Sequence, residues 1–218
     1  MGKRNGLTLI EVLVVILVIG VLALLIFPWL ARSTEQGRRI RCRNHLNCMA
    51  KSMATYLNEH GNNTWYPCPL GRGLAPDDYN GAEWIATNFW VGVHPDPSCF
   101  LCPSSGDTNH NGVDLGTDRA IPGRFGPQTV SYSGMHYYSL TDANGNPKAA
   151  ALRDDFPPSE IMASDDTEGT VNHPDRFFIR GGMGVLFFDS HVEWKTSAEI
   201  DIEHAVGQKG GLLWRLRN

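Results

Sequence analysis

The sequence predicts an α+β fold in which a long N-terminal helix packs on a small antiparallel sheet with long irregular loops outside. An apolar run without any polar side chain occupies residues 12–30, and a basic amphipathic stretch follows it. Short β-like segments occur only in the second half of the chain. A length of 218 residues allows one or two domains. The 23 Gly and 13 Pro predict a body rich in loops.

The apolar run predicts a membrane-spanning helix. Residues 7–27 in helical conformation would be about 30 Å long, which matches the hydrocarbon thickness of a bilayer. Lys3 and Arg4 precede the run, so we expect a cytoplasmic amino end and a periplasmic or cell-surface body. A secretory signal peptide has a shorter apolar core and a small-residue cleavage site, whereas this run continues to Pro28 and Trp29. A single-pass anchor in the inner membrane is therefore predicted.

Glu11 is a carboxylate inside the predicted span. An ionised carboxylate in hydrocarbon costs several kcal/mol unless it is paired. The nearest basic side chains, Lys3 and Arg4, lie about two helical turns before it. Cleavage after Gly6 would give Leu7 a free α-amino group at the depth of Glu11 in a neighbouring subunit. Such a pair between chains would set their axial register.

Residues 6–11, with the sequence GLTLIE behind a short basic leader, closely resemble the class III signal of type IV pilins and type II secretion pseudopilins. The resemblance implies that a membrane peptidase cuts after Gly6 and methylates the new amino terminus of Leu7. It also implies that Glu11 guides assembly and that Pro28 kinks the helix. Leu7 departs from the family pattern, in which phenylalanine is the commonest first mature residue.

This resemblance implies a pilin-like organisation with four parts. They are a leader at residues 1–6, an assembly helix at 7–30, its amphipathic continuation at 31–60 and an extracytoplasmic body at 61–218. The implied function is a structural pseudopilin, not an enzyme, in a type II secretion-like or type IV pilus-like filament for protein export. Implied partners are further pseudopilins, prepilin peptidase, the inner-membrane assembly platform and membrane lipid. An adhesive or DNA-uptake pilin and a tethered binding module that never polymerises are the alternatives.

The stretch after Pro28 is basic and amphipathic. Apolar side chains recur every three or four residues, which predicts one buried helix face: Cys42, Leu46, Met49, Met53 and Tyr56 or Leu57. We expect the helix to end near Glu59, with Gly61 as a stop signal. Residues 29–60 carry a net charge of +4 and residues 61–218 carry −9. The acidic bulk argues against a general nucleic-acid binder and suggests salt-sensitive contacts between subunits.

The body is expected to be irregular over residues 61–130, apart from a short element at 83–90. Strands are predicted at residues 131–140, 160–164, 185–188 and 191–195, the last two as a hairpin across Asp189 and Ser190. A short helix is predicted at 197–206, and residues 210–218 suit either a strand or a tail.

Four stretches of the chain also resemble the pilin-like proteins of planctomycetes and their relatives named for an H-x9-DG motif. They are residues 41–44, 102–104, 131–134 and 181–194. Here Ser190 replaces the glycine of that motif after Asp189, and Ile179 stands at the histidine position. His173 is the nearest upstream histidine. A serine makes a turn that needs positive φ more costly.

One loop fits the spacing of a calcium-binding loop, except that Asp replaces the final Glu. Its expected ligands are side-chain oxygens and one carbonyl, from Asp107, Asn109, Asn111, Val113 (carbonyl) and Asp118, with Asp114 as a further contributor. Oxygen donors at alternating positions suit a hard cation, and Gly112 permits a sharp turn. The same residues also suit an Asn/Gly turn with surface acids.

Five cysteines in an exported chain suggest disulfides. We expect one bridge from Cys68 to Cys99 or Cys102, ahead of redox or zinc chemistry at the C-x-x-C spacing. Asp165, with Asp166 and Glu168, is expected near Asp189 and His191, as turn residues rather than a metal site. The sequence contains no G-x-S-x-G, P-loop, H-E-x-x-H or dinucleotide-binding motif.

Overall fold

The computed structural model describes residues 8–67, 81–117, 122–126, 128–135, 138–141, 147–150, 152–165, 172–175, 179–197, 199 and 216–217. The chain divides into two units, Met1–Gly37 and Arg38–Asn218. The fold is α+β, with a long N-terminal helix and a small antiparallel sheet, as the sequence predicts.

Helix α1 spans Leu9–Glu59 and contains the whole predicted apolar run. It continues without interruption through Pro28, whose missing N–H removes one helical hydrogen bond. Large apolar side chains between Leu9 and Leu30 are exposed, with Leu24 at 75% of its full accessibility. This segment is long and apolar enough to cross a membrane, and none of it is buried within the structure.

Within the second unit, one face of α1 is buried, and the predicted spacing is confirmed. The buried side chains are Cys42, Leu46, Met49, Ala50, Met53 and Leu57. The helix ends at Glu59, as expected, and Gly61 N donates to Tyr56 O at 2.8 Å. A Cβ on Gly61 would lie 2.1 Å from Trp65 O, so only glycine allows the chain to turn here.

The main sheet, as far as the described residues show it, has five strands in the order β6-β5-β4-β1-β7. The strands are β1 Tyr132–Met135, β4 Ile161–Asp165, β5 Gly182–Phe187, β6 Val192–Thr196 and β7 Leu216–Arg217. All of their pairings are antiparallel. Every residue of β1, β4 and β5 is buried, so both faces of the central strands are covered.

Helix α1 crosses the sheet at β5. Gly184 N donates to Asp165 Oδ2 at 2.7 Å, and a Cβ at position 184 would lie 2.8 Å from Leu46 Cδ1. Tyr132 is the register partner of Asp165, which places both residues on this same face of the sheet. The glycine therefore allows Leu46 to approach the strand closely.

Helix α2, Gly81–Trp90, covers the same face at β1 and confirms the short element expected at residues 83–90. The predicted segment 131–140 is divided between two sheets. Its second part is β2 Tyr138–Thr141, which pairs with β3 Pro147–Ala150. Of the predicted helix at 197–206, most residues lie outside the described part. Of the two alternatives for residues 210–218, the described residues show a strand, β7.

The hairpin between β5 and β6 turns at the predicted position. Ser190 N donates to Phe187 O at 2.9 Å, and Phe187 N donates to His191 O at 3.0 Å. Ser190 has φ +71°, a left-handed conformation that costs an L-residue about 1–2 kcal/mol. Ser190 therefore has the positive φ at which the sequence predicts serine to be more costly than glycine.

Gly134→Ala tests the close approach of α2 to β1. A Cβ at position 134 would lie 2.6 Å from Gly81 O and 2.9 Å from Ile85 Cγ1. We expect the substitution to lower the free energy of unfolding of the detergent-solubilised chain by about 1–3 kcal/mol, measured by urea unfolding. Gly106→Ala is the control, because a Cβ there meets nothing within 4 Å. Equal stability of the two variants would contradict the described packing.

Ser190→Gly tests the strain in the hairpin turn. Glycine adopts φ +71° without steric cost but loses more backbone entropy on folding, so we expect a net gain of about 0.5–1 kcal/mol in unfolding free energy. Ser190→Ala keeps the Cβ and should give no comparable gain. A stability loss in the glycine variant, measured by thermal unfolding, would be inconsistent with a strained turn.

Candidate functional site

The first turn of α1 is closed by a capping box. Thr8 N and Thr8 Oγ1 donate to Glu11 Oε2 at 2.7 and 2.8 Å, and Glu11 N donates to Thr8 Oγ1 at 3.4 Å. This reciprocal pattern satisfies backbone groups that the first turn of a helix leaves unpaired. The donors of Thr8 are neutral, so they leave the charge of the carboxylate uncompensated. Gly6 and Leu7, the predicted cleavage and methylation residues, lie outside the described residues.

A second constellation lies in the body, where α1 meets the sheet. One ligand atom from each of four residues lies within 4.8 Å of the other three, and these residues are Cys42, Cys102, Asp165 and His173. All four are buried, with at most 3% exposure. Cys42 is on α1, Cys102 follows the 3₁₀ helix Pro97–Phe100, Asp165 ends β4 and His173 lies between β4 and β5.

Short contacts connect the four side chains. His173 Nε2 lies 3.4 Å from Cys102 Sγ and 3.8 Å from Asp165 Oδ2, so one ring nitrogen faces both groups. Cys42 Sγ and Cys102 Sγ lie within 4.8 Å of each other. The interaction with Cys42, helped by His173, lowers the pKa of Cys102, whereas the same interaction and burial raise the pKa of Cys42.

Hydrogen-bond donors from the surrounding elements point at two of the four groups. Ser104 N donates to Cys102 Sγ at 3.5 Å, and Gly184 N donates to Asp165 Oδ2 at 2.7 Å. These two donors orient the cluster and stabilise negative charge on it. Tyr132 is completely buried, and burial raises its pKa well above the ordinary value.

The ring of His173 is fixed by packing. The ring packs edge-on against Trp194, with 5.3 Å between the ring centroids. The backbone carbonyl of His173 accepts a hydrogen bond from Gly182 N at 3.1 Å. The guanidinium of Arg39 lies 4.4 Å from the centroid of the Trp194 ring on α1's side of the sheet. Arg39 also donates to Arg180 O, so this arginine of the basic stretch stabilises the body.

Sequence reasoning did not bring these four residues together. The sequence predicts Cys42 as an apolar contact and Cys102 as one of two alternative disulfide partners of Cys68. The four residues belong to four separate segments without a ligand spacing that a local pattern could reveal. The available signals were weak: Cys42 and Cys102 lie in stretches of the H-x9-DG resemblance, and His173 is its nearest alternative histidine.

The two cysteines of the C-x-x-C spacing have different neighbours. Cys99 Sγ lies 3.9 Å from Asp96 Oδ2, and Cys48 is among the neighbours that raise the pKa of Cys99 after burial, whereas Cys102 Sγ lies within 4.8 Å of Cys42 Sγ. The described cysteines, including Cys99 and Cys102, are free thiols in the structure. Cys68 lies outside the described residues, so its bridge to Cys99 or Cys102 stays a prediction.

The expected calcium loop forms a compact turn. His110, Asn111 and Gly112 have φ of +46°, +57° and +88°, and Gly112 N donates to Asn109 Oδ1 at 3.2 Å. Asn109 Nδ2 donates to Pro97 O at 2.7 Å.

Two carboxylates of the loop have hydrogen-bond partners within the chain. Asp107 accepts from the Ser131 hydroxyl, and His110 pairs with Asp114. Val113 is exposed, and Asp118 lies outside the described residues. Calcium binding stays a prediction.

The expected neighbourhood of Asp165 is wrong. Ser164 pairs with Val185, which sets Asp165 beside Gly184, whereas Asp189 and His191 lie beyond the other end of β5. Asp189 pairs with His191 at the exposed hairpin tip, and the backbone N–H of His191 lowers the pKa of Asp189. Asp166 and Glu168 lie outside the described residues.

Comparison with known proteins bears on the amino-terminal end of the chain. Residues 1–27 match the family model of the prokaryotic N-terminal methylation motif. This class III signal supports the type IV pilin and pseudopilin family. No curated protein and no solved structure matches the chain significantly.

The motif supports a type IV pilin-like precursor, and it implies processing by prepilin peptidase and assembly with other pilins. It indicates a structural subunit. Together with the apolar part of α1, it supports anchoring to a membrane by a single span.

Proposed function

We propose that this chain is a pseudopilin that assembles into a type II secretion-like or type IV pilus-like filament for protein export. Prepilin peptidase cuts after Gly6 and methylates Leu7. Before assembly, the chain is held in the inner membrane with its amino end in the cytoplasm and its body in the periplasm. The observation that carries the proposal is the carboxylate of Glu11 within the otherwise apolar and exposed part of α1, residues 9–30.

The exposed apolar surface of α1 requires a covering. Its large apolar side chains between Leu9 and Leu30 are exposed, and lipid covers such a surface before assembly. In a filament, the helices of neighbouring subunits replace the lipid. Polymerisation then keeps the apolar surface away from water throughout.

Glu11 determines how neighbouring helices align when they replace the lipid around α1. Thr8 holds Oε2 with two neutral donors, which orient the carboxylate without cancelling its charge. The new α-amino group of Leu7 in an adjacent subunit is a cation of matching depth. Pairing the two charges removes the cost of an isolated carboxylate in an apolar medium and fixes the axial position of the subunits.

The basic part of α1 gives the proposed assembly a second electrostatic contact. Arg32, Arg41 and Arg43 are exposed, whereas residues 61–218 carry a net charge of −9. Exposed charges of opposite sign on neighbouring subunits attract one another over roughly a Debye length of 10 Å at 0.1 M salt. We therefore expect filament growth to weaken as the salt concentration rises.

Intact-protein mass spectrometry tests the processing step. The purified chain should begin at Leu7 and carry one added methyl group, whereas the chain from cells without prepilin peptidase should retain Met1. An intact Met1 in wild-type cells would support a plain tethered module instead.

Glu11→Gln tests the assembly step. Removing one partner of a desolvated charge pair costs about 3–5 kcal/mol, so we expect subunit association to weaken at least a hundredfold and filaments to disappear from electron micrographs. Glu59→Gln is the matched control, because Glu59 is exposed at the other end of α1. Cleavage of both variants should be normal. Filaments of ordinary length from the Glu11 variant would refute the role of this residue.

Calcium is the second part of the proposal, at Asp107, Asn109, Asn111, Val113 and Asp118. Calcium at a hundred times its Kd should add about 2.7 kcal/mol to the unfolding free energy of the detergent-solubilised chain. Thermal unfolding with millimolar calcium, compared with magnesium, measures this effect. Asp107→Asn should reduce the shift, and Asp155→Asn, an exposed acid elsewhere, should not. No shift in the wild type removes calcium from the proposal.

A further inference from the structure

We propose that Cys42, Cys102, Asp165 and His173 form a closed, structural zinc site that ties helix α1 to the sheet of the body. This inference goes beyond the proposed function and does not depend on it. It rests on the kinds of donor, their separations, their burial and the groups that surround them.

The separations agree with tetrahedral coordination. Zinc binds cysteine sulfur at about 2.3 Å and histidine nitrogen or carboxylate oxygen at about 2.0–2.2 Å, which implies ligand–ligand distances of about 3.3–3.8 Å. The structure has 3.4 Å from Cys102 Sγ to His173 Nε2 and 3.8 Å from His173 Nε2 to Asp165 Oδ2. All four ligand atoms lie within 4.8 Å of one another. Small side-chain adjustments are sufficient to complete the coordination sphere.

The donor set favours zinc over the hard cations. Two sulfurs, one imidazole nitrogen and one carboxylate oxygen combine soft and borderline ligands, whereas calcium and magnesium take oxygen ligands. All four residues are buried, and four protein ligands fill a tetrahedral shell. The site therefore has the character of a structural centre and not of a catalytic centre with an open position.

The surroundings supply what a zinc site with two thiolates and a carboxylate requires. Such a site has a net charge of −1 when the metal is bound. Ser104 N donates to Cys102 Sγ and Gly184 N donates to Asp165 Oδ2, and both donors reduce this negative charge. In metal centres, hydrogen-bond donors around the site typically orient the side chains that bind the metal.

The proposed zinc site lies where helix α1 meets the sheet, so a bound ion would join separate segments of the chain. The ligands come from α1, the turn after the 3₁₀ helix, the end of β4 and the segment before β5. These segments are distant in sequence, so a single ion that binds all four holds them together and stabilises the folded chain, in which alone the site exists. Leu46, one turn after Cys42, packs at Gly184 beside Asp165. Zinc would thus stabilise the contact that joins helix and sheet.

A disulfide between Cys42 and Cys102 is the competing chemistry for two adjacent sulfurs in an oxidising compartment. It would use both cysteines but give no reason for the convergence of Asp165 and His173 on the same point. The zinc site accounts for all four residues. The experiment distinguishes these two states directly.

The test uses the full chain, purified in detergent under reducing conditions with zinc present and then freed of unbound metal. Elemental analysis should find about one zinc per chain. Cys102→Ser and His173→Ala should each lower the zinc content at least tenfold. The double variant Cys48→Ser/Cys99→Ser is the matched control, since it removes a nearby pair of cysteines outside the cluster and should keep the full zinc content.

A second measurement needs no variant and therefore does not depend on the variants folding. Zinc alone, added to the chelator-treated wild-type chain, should raise its unfolding midpoint by about 8–16 °C at a thousand times the Kd. Cobalt in place of zinc should give the visible absorption of tetrahedral thiolate coordination. Peptide mapping of the chain purified without reductant that finds a Cys42–Cys102 disulfide, or a folded reduced chain that takes up neither metal, would overturn the proposal.

Discussion

The close packing of Leu46 on Gly184 is the contact on which the arrangement of the body depends. A strand position without a side chain allows the helix to approach β5 and leaves space beside it for the carboxylate of Asp165. Asp165 is in turn held at the register position of Tyr132. The close approach of the helix to β5 and the position of the Asp165 carboxylate therefore both depend on the missing side chain at Gly184.

Features that depend on neighbours in sequence could be predicted from the sequence. The apolar run, the buried face with Cys42 and Met53, the stop at Gly61 and the hairpin at Ser190 each follow from spacing or from turn chemistry within a few residues. The division of residues 131–140 between two sheets could not be predicted in this way. It is set by the strands with which each half pairs, and those strands lie far along the chain.

The candidate site shows the same limit more clearly. The amino-terminal signal is contiguous, so Glu11 could be identified by its contrast with the surrounding apolar residues. The buried cluster is assembled from four segments, and its residue types have ordinary explanations when each is taken alone. The sequence predicts Asp165 near Asp189 and His191, but the strand register places Asp165 at the opposite end of β5 from Asp189. Register depends on long-range pairing, which local patterns do not determine.

The capping box at Thr8 has a consequence for maturation. Both residues that close the first turn, Thr8 and Glu11, lie on the carboxyl side of the proposed scissile bond after Gly6. The leader contributes none of these three hydrogen bonds, so the proposed cleavage would leave them in place. The product of that cleavage would begin one residue before the cap of α1, and its new amine would precede a helix start that is already closed.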